Sequence, residues 1–313
     1  MNLLHQELKK YGSVKTNVLL SRHTTFKIGG PAEFLVTVDD NDKLAGLLVF
    51  LQAEGVEYFV LGGGSNVLFP DDGLRGVVVK ISSGKMRVDD QIIEADAGVS
   101  LTDAVNLATK NSLSGLEWAA GIPGTIGGAV RGNSGAMGQC MSDSIVKVLV
   151  WQDGEIKEFL KEECGFCYRG SLFKDTAGMV VLKVWLKLAS GQAGAILKTI
   201  QGYLEQRQGK FPPFPSAGSF FKNLKIDEWP GKIEDLPEMF QTRGMIPTGW
   251  LIDGLDLRGF KIGGGGVSQE HGNFLVNFGG ATQADILSVV DEVQKKVYNK
   301  YGVTIEPEVE IIH

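Results

Sequence analysis

Ser219 stands in the stretch PSAGSFFKN (215–223), a small hydroxyl between a glycine and two phenylalanines, with Lys222 and Asn223 close behind. Pro-Ser-Ala-Gly has the composition of a loop, and Phe-Phe that of a buried start. A hydroxyl at that junction is either a turn device or a proton donor aimed into a pocket. Arg169, in CYRGSLF, carries a guanidinium fork that pairs bidentately with a carboxylate, although a surface ion pair is the commoner fate of a lone arginine. Near the end of the chain, IEPEVEI puts Glu306, Glu308 and Glu310 on one strand face by period-two alternation, with Ile305, Val309 and Ile311 on the other. A solvated face accounts for most of these carboxylates, and a buried acid with a raised pKa for at most one.

Cys164 and Cys167 have the C-x-x-C spacing of half a zinc site or of a redox pair. Only Cys140 remains as a third thiol, and the 4 histidines are scattered, so two ordinary thiols and no metal are expected. An odd cysteine count fits a reducing compartment better than a disulfide scaffold.

The compositional outlier is glycine, at 42 of 313 residues. It clusters in GGPAE (29–33), LGGGSN (61–66), AAGIPGTIGGAVRGNSGAMG (119–138) and KIGGGGVS (261–268). Clustered glycine means backbone held at positive φ or brought close to something, and successive free N–H groups make an anion cradle. No P-loop pattern is present. GGGSNV follows a strand as a dinucleotide fingerprint would, but its sixth residue is Val67 and no strand-helix-strand unit follows, which argues against a Rossmann site. For KIGGGGVS a tight turn is as good a reading as a cradle. Two long loops of small residues, 61–66 and 119–138, cost much backbone entropy to order, and a large ligand lying along them would offset it.

Helices and strands bracket these residues along the chain. Residues 1–12 suit a short amphipathic helix, 39–55 a helix with Leu44, Leu47, Leu48 and Leu51 at helical spacing and Gly55 as its stop, and 100–111 a helix capped by Ser100 and Asp103. Strands are expected over 56–62, 75–81, 91–98 and 179–188, with a hairpin over 144–160 turning at Asp153-Gly154. Residues 191–210 form a long helix leading into FPPFPSAG, and 281–302 another, with a Thr282/Asp285 capping box and Ile286, Val290, Val293 and Val297 on one face. The chain closes on an alternating strand, VTIEPEVEIIH. Helices and strands are grouped rather than strictly alternating, which makes the class α+β. The change of character near 190–200 divides the chain into domains of 1–195 (two lobes, about 1–80 and 81–195) and 196–313.

Hydrophobic content of 43%, charged content of 22% and a net charge of −6 are those of an ordinary globular chain. No basic run suggests nucleic acid, no apolar run is long enough to span a membrane, and the first residues lack the features of a signal peptide. A cytoplasmic location is the expectation. Acidic totals leave room for a locally basic pocket and an anionic substrate.

Seven stretches, TTFKIGGPAEFLV, VLGGGSNVLF, AGIPGTIGGAVRGNSGAMG, YRGSLFK, PSAGSFFKN, GWLIDGLDLRGFKIGGGGVSQEHGNFLVN and EPEV, occur in the order found in the UDP-N-acetylenolpyruvoylglucosamine reductases, also called UDP-N-acetylmuramate dehydrogenases. The resemblance runs from about residue 20 to the end. It implies an FAD-binding fold of the vanillyl-alcohol-oxidase/PCMH type, followed by an α+β domain for the UDP-sugar whose final strand returns to the active site. It implies noncovalent FAD, NADPH as reductant, and reduction of the enolpyruvyl ether of UDP-N-acetylglucosamine to UDP-N-acetylmuramate, a step of peptidoglycan precursor synthesis. The length and the lack of a clear insertion resemble the shorter type of the family, without the tyrosine lid loop. A monomer is the working expectation for the assembly.

Hydride from reduced flavin would reach the terminal enolpyruvyl carbon, and negative charge would build on the next carbon and its carboxylate. The resemblance assigns Arg169 to stabilising that charge, Glu308, which follows Pro307, to the enol, and Ser219 to proton delivery. Glu306 is the rival of Glu308. Lys222 would stabilise the alkoxide left on Ser219, and Lys222, Asn223 and Tyr168 are assigned to substrate. For FAD the resemblance points to Gly62, Gly63, Gly64, Ser65, Asn66, Gly121, Ile122, Gly124, Thr125, Gly127 and Gly128. Three features depart from the family pattern: Arg131-Gly132 where apolar residues are usual, Gly265-Gly266 where an alanine is usual, and Cys167 where a small residue is common. An FAD oxidase of the same fold would explain the N-terminal loops but not PSAGSFFKN or EPEV. A non-catalytic flavin or sugar-nucleotide binder would be expected to have lost Arg169, Ser219 or Glu308.

Overall fold

The cap chemistry written in the sequence is used where it stands. Asp40 accepts from the amides of Asp42 and Lys43 and opens the helix Asn41–Ala53, whose Leu44, Leu47, Leu48 and Leu51 are buried. Ser100 accepts from Asp103 N–H and opens Leu101–Lys110. Thr282 and Asp285 close a full capping box on Gln283–Tyr301, and Gly302 ends that helix at φ 70°. Asp153 and Gly154, both at positive φ, turn the hairpin of Ile145–Gln152 with Glu155–Leu160. The computed structural model describes residues 3–313; the first helix runs Leu3–Leu8, and Met1 and Asn2 of the helix expected over 1–12 lie outside the described residues.

The chain divides into two compact units, one of residues 1–18, 32–64 and 74–207, the other of 19–31, 65–73 and 208–313. The first carries two sheets. One is four-stranded, with Pro31–Val38, Leu74–Ile81 and Tyr58–Leu61 pairing in parallel and Ser13–Leu19 at its edge. The other is five-stranded and antiparallel, in the order 155–160, 145–152, 180–187, 92–96, 86–89. Its core joins both sheets and the helices 41–53 and 101–110 around buried Trp118, Trp151 and Phe173. The helix Ala193–Arg207 belongs to this unit.

The second unit has a four-stranded antiparallel sheet, in the order Ser216–Ser219, Phe274–Asn277, Gly265–Val267, Lys261–Ile262. The helix 283–301 packs on it through Ile286, Val289, Val290, Val293 and Val297. Each such side chain is worth about 1.5–3 kcal/mol on burial, so this face fixes the sheet behind the residues of interest.

Two expectations are corrected. Most of the stretch 215–219, which has loop composition, is instead the strand Ser216–Ser219: Ser216 pairs with Val276 and Ser219 with Phe274, with a register shift between them. Gly218, at φ +81°, absorbs the extra residue. The closing segment is not one continuous strand. Regular pairing is limited to Glu310–Ile311 beside Val67–Leu68, and Pro307 makes only an isolated bridge to Phe221. The alternation itself holds: Ile305 and Val309 are buried and Glu306 is exposed.

Candidate active site

In the second unit the residues 219–223 form the middle of three segments. Phe220 and Phe221 are buried with their rings edge to face at 5.3 Å, which anchors the segment. On one side Ser219 pairs with Phe274. On the other, Glu308 N–H donates to Phe220 O (2.8 Å) and Lys222 N–H to Glu306 O (2.9 Å). The backbone therefore carries Ser219 and Glu308 on neighbouring segments, with Phe220 between them.

The two rival carboxylates differ in setting. Glu306 is 69% exposed and ion-paired with Lys222 Nζ at 3.0 Å. Glu308 is half-buried, and its carbonyl accepts from Asn66 Nδ2 at 3.1 Å, while Glu310 N–H donates to Asn66 O. Asn223 Oδ1 accepts from Thr248 N–H at 3.2 Å, and the Thr248 hydroxyl donates to Lys222 O, so Asn223 and Thr248 brace this strand. KIGGGGVS is a tight hairpin. Gly264 N–H donates to Asp285, whose carboxyl backbone amides of Thr282 and Gly264 hold below the usual range. A Cβ on Gly266 would run into Phe260 O, which explains glycine at 266, whereas one on Gly265 would meet only the movable end of Ile286 at 2.6 Å.

In the first unit Tyr168 and Arg169 are the two central residues of a turn closed by Cys167 N–H to Gly170 O (3.1 Å) and Gly170 N–H to Cys167 O (3.3 Å). Arg169 has φ 57°, a left-handed conformation that costs a side-chain-bearing residue about 1–2 kcal/mol. Its guanidinium lies 5.4 Å from the centre of the exposed Tyr168 ring. The turn is held from below by Asn133, buried, whose Nδ2 donates to Cys167 O (2.9 Å) while its Oδ1 accepts from Ser142 N–H. Ser171 Oγ donates to Arg131 O, which ties the other end of the turn to the same segment. Strain kept at an exposed turn points to a use for the side chain it presents.

The C-x-x-C thiols are set apart by environment. Cys164 is buried, donates to Leu160 O, and is pushed up to about 12 by burial, whereas Cys167 is exposed. Among the described residues no group of three or more His, Cys, Asp or Glu is arranged to hold a metal.

Residues 208–312 match the family described as UDP-N-acetylenolpyruvoylglucosamine reductase, C-terminal domain, and residues 32–159 match an FAD binding domain. The chain is 38% identical over 310 residues to the UDP-N-acetylenolpyruvoylglucosamine reductase of Caldanaerobacter subterraneus, covering 98% of this chain and 96% of that one. The chain belongs to the UDP-N-acetylenolpyruvoylglucosamine reductase family. The Bacillus subtilis reductase is 36% identical over 318 residues, 100% of this chain and 99% of its own. The crystal structure of the Thermus caldophilus reductase superposes with a TM-score of 0.78 at 34% identity, covering 96% and 99% of the two chains. Its agreement extends across the α+β architecture described above.

A member of the reductase family needs a place for a flavin, and the glycine loops of the first unit are the candidate. A Cβ on Gly63 would lie 2.8 Å from Gly124 Cα, so glycine lets the two loops meet there backbone to backbone, and one on Gly62 would press on the Thr125 hydroxyl at 2.7 Å. Gly64 and Gly124, at φ +66° and +135°, need that residue type for conformation as well. Thr125 Oγ1 accepts from Gly128 N–H at the start of the short helix Ile126–Arg131, and Gly63, Gly121 and Gly128 remain exposed. Small, exposed backbone of this kind suits a diphosphate and a flat ring system. Ser65 and Asn66 fall in the second unit, beyond the division at Gly64.

Sequence reasoning missed Asn133, Asn273 and Thr248. Each acts on backbone far away in sequence, and no local pattern marks it.

Proposed function

We propose that this chain is an NADPH- and FAD-dependent oxidoreductase that reduces the enolpyruvyl ether of UDP-N-acetylglucosamine to UDP-N-acetylmuramate in peptidoglycan precursor synthesis. The observation that carries the reading is similarity to curated reductases over 98–100% of the chain, spanning both the FAD-binding and the C-terminal family matches. FAD, reduced by NADPH, supplies a hydride to the terminal enolpyruvyl carbon when bound. The glycine backbone of 62–64 and 121–128 holds the cofactor, with Thr125 and Ile122 beside it.

Arg169 pairs with the substrate carboxylate and stabilises the charge that develops there; its left-handed turn supports this role. Ser219 gives the proton to the carbon next to the carboxylate. Lys222, now paired with Glu306, stabilises the alkoxide left on Ser219. Glu308 hydrogen-bonds the enol, and its backbone pairing to Phe220, next to Ser219, supports choosing it over the exposed Glu306. Tyr168 and Asn223 contact the sugar nucleotide. We place the reaction in the cytoplasm and take the acting form to be a monomer. We further assign FAD to residues 1–195 and the UDP-sugar to 196–313.

The test is an anaerobic titration of the purified protein followed in the visible. The flavin band should bleach with NADPH and return on adding UDP-N-acetylglucosamine-enolpyruvate. In Ser219→Ala, bleaching should persist and the return should slow by 10² or more, on the order of the value of a positioned acid. A colourless protein that FAD cannot reconstitute would overturn the reading, and a flavin reoxidised only by oxygen would replace it with an oxidase.

A further inference from the structure

We infer that Asn273 is a positioning residue for proton delivery, an inference that rests on the assignment of Ser219 and Glu308 above. Asn273 is 3% exposed and sits at the mouth of the strand 274–277. Its carboxamide is fully engaged by one residue of the neighbouring segment: Oδ1 accepts from Phe221 N–H at 2.9 Å, and Nδ2 donates to Phe221 O at 2.8 Å. Its main-chain carbonyl accepts from Phe220 N–H at 2.7 Å, and its own N–H donates to His271 Nδ1 at 3.0 Å.

The regular ladder ends at the pair Ser219–Phe274. Beyond it the side chain of Asn273 stands in for a strand and continues the pairing for one more residue. Ser219 is thus held between a left-handed glycine, Gly218, and a double clamp on 220–221. The opposite edge of the clamped residues carries the segment 306–309, through Glu308 N–H to Phe220 O, Lys222 N–H to Glu306 O and the bridge of Phe221 with Pro307. One carboxamide therefore sets the register of both proposed proton-handling groups. An aliphatic side chain in its place would leave Phe221 N–H and C=O buried without partners, and the strand would shift to recover them. A displacement of about 1 Å at a reacting group costs on the order of 10²-fold in rate.

The experiment is a double-mutant cycle on the holoenzyme, with the two half-reactions read separately by stopped flow. In Asn273→Ala, reduction by NADPH should stay within about twofold of wild type while reoxidation by the enolpyruvyl substrate falls on the order of 10²-fold. In the Ser219→Ala background the same change should cost much less than in wild type, because one of the two groups it positions is gone and only the part exerted through Glu308 remains. Reoxidation at the wild-type rate in Asn273→Ala, or an equal further loss in the Ser219→Ala background, overturns the inference. If Ser219→Ala alone leaves reoxidation fast, the serine assignment fails and the inference falls with it. Should Asn273→Ala not retain flavin, the isosteric Asn273→Asp, which keeps the acceptor for Phe221 N–H and loses the donor to its carbonyl, serves in the same cycle.

Discussion

Replacing Arg169 separates what its side chain does from what its backbone costs. The residue sits at φ 57° in the turn Cys167–Gly170, where glycine carries no steric penalty. Arg169→Ala removes the guanidinium and its contact with Tyr168 but keeps the left-handed strain of about 1–2 kcal/mol. Arg169→Gly removes the same side chain and the strain, at an entropic cost of about 0.5–1 kcal/mol in the unfolded chain. The difference places Arg169→Gly above Arg169→Ala in stability by up to about 1.5 kcal/mol, with about 0.75 kcal/mol as the central value. For a chain of this size that corresponds to about 1 °C in a thermal melt. Activity should not follow stability: both variants, and Arg169→Lys, which keeps charge but not the bidentate fork, should lose on the order of 10²–10³ in reoxidation by substrate, the value of one donor aimed at developing charge. Parallel thermal melts and half-reaction kinetics read the two effects. An Arg169→Ala protein clearly more stable than Arg169→Gly would refute the strained turn, and fast reoxidation in Arg169→Lys would refute the charge-stabilising role.

Burial holds the pKa of His271 below its usual value of 6.5, with Arg258 and Lys210 acting in the same direction and Asp253 against them. The unfolded chain therefore takes up a proton first, so stability is complete above about pH 7 and falls as the pH drops through the 6.5 region, by up to about 1.4 kcal/mol per pH unit. Melts of wild type and His271→Gln between about pH 5 and about pH 8 should show the slope only in the former; equal slopes would remove His271 as the cause. Thiol labelling of the native protein at neutral pH should mark Cys167 readily and Cys164 only on unfolding, since Cys164 is buried and pushed up to about 12. Equal labelling rates would show that Cys164 is accessible.

The parts of the fold legible in the sequence are those set by neighbours along the chain. Ser100 and Thr282 cap the helices they were expected to cap, and Asp153-Gly154 turns the hairpin it was expected to turn. Composition misled where pairing partners decide: Ser216–Ser219 is a strand because Phe274–Asn277 lies beside it, and no β-branched residue announces it. Pro307 was visible, yet the change of partner along the last segment, from Phe220 to Asn66, depends on chain far away in sequence. The candidate site divides in the same way. Ser219, Glu308, Arg169 and the glycine loops stand out by residue type and order. Asn273 and Asn133 do not, because a carboxamide bonded to distant backbone has no spacing rule, and the left-handed φ of Arg169 breaks a propensity that a sequence reading takes as default.

The chain passes between its two units five times, at 18/19, 31/32, 64/65, 73/74 and 207/208. The second unit is thereby assembled from pieces made far apart in time. Phe26, Ile28 and Leu68 lie in the same core as Phe220, Leu275 and Val293, Asn277 Nδ2 donates to Phe26 O, and Gln283 Nε2 donates to Leu68 O. On the ribosome these early segments emerge long before their partners and must wait, uncovered, until the end of synthesis. A fragment that begins at Gln208 lacks Phe26, Ile28 and Leu68 of its own core, so the region recognisable as a C-terminal domain leaves out part of the compact unit it belongs to. Quality control of this protein then rests on completion of the whole chain, with segments near the start read as native only once the last strand has arrived.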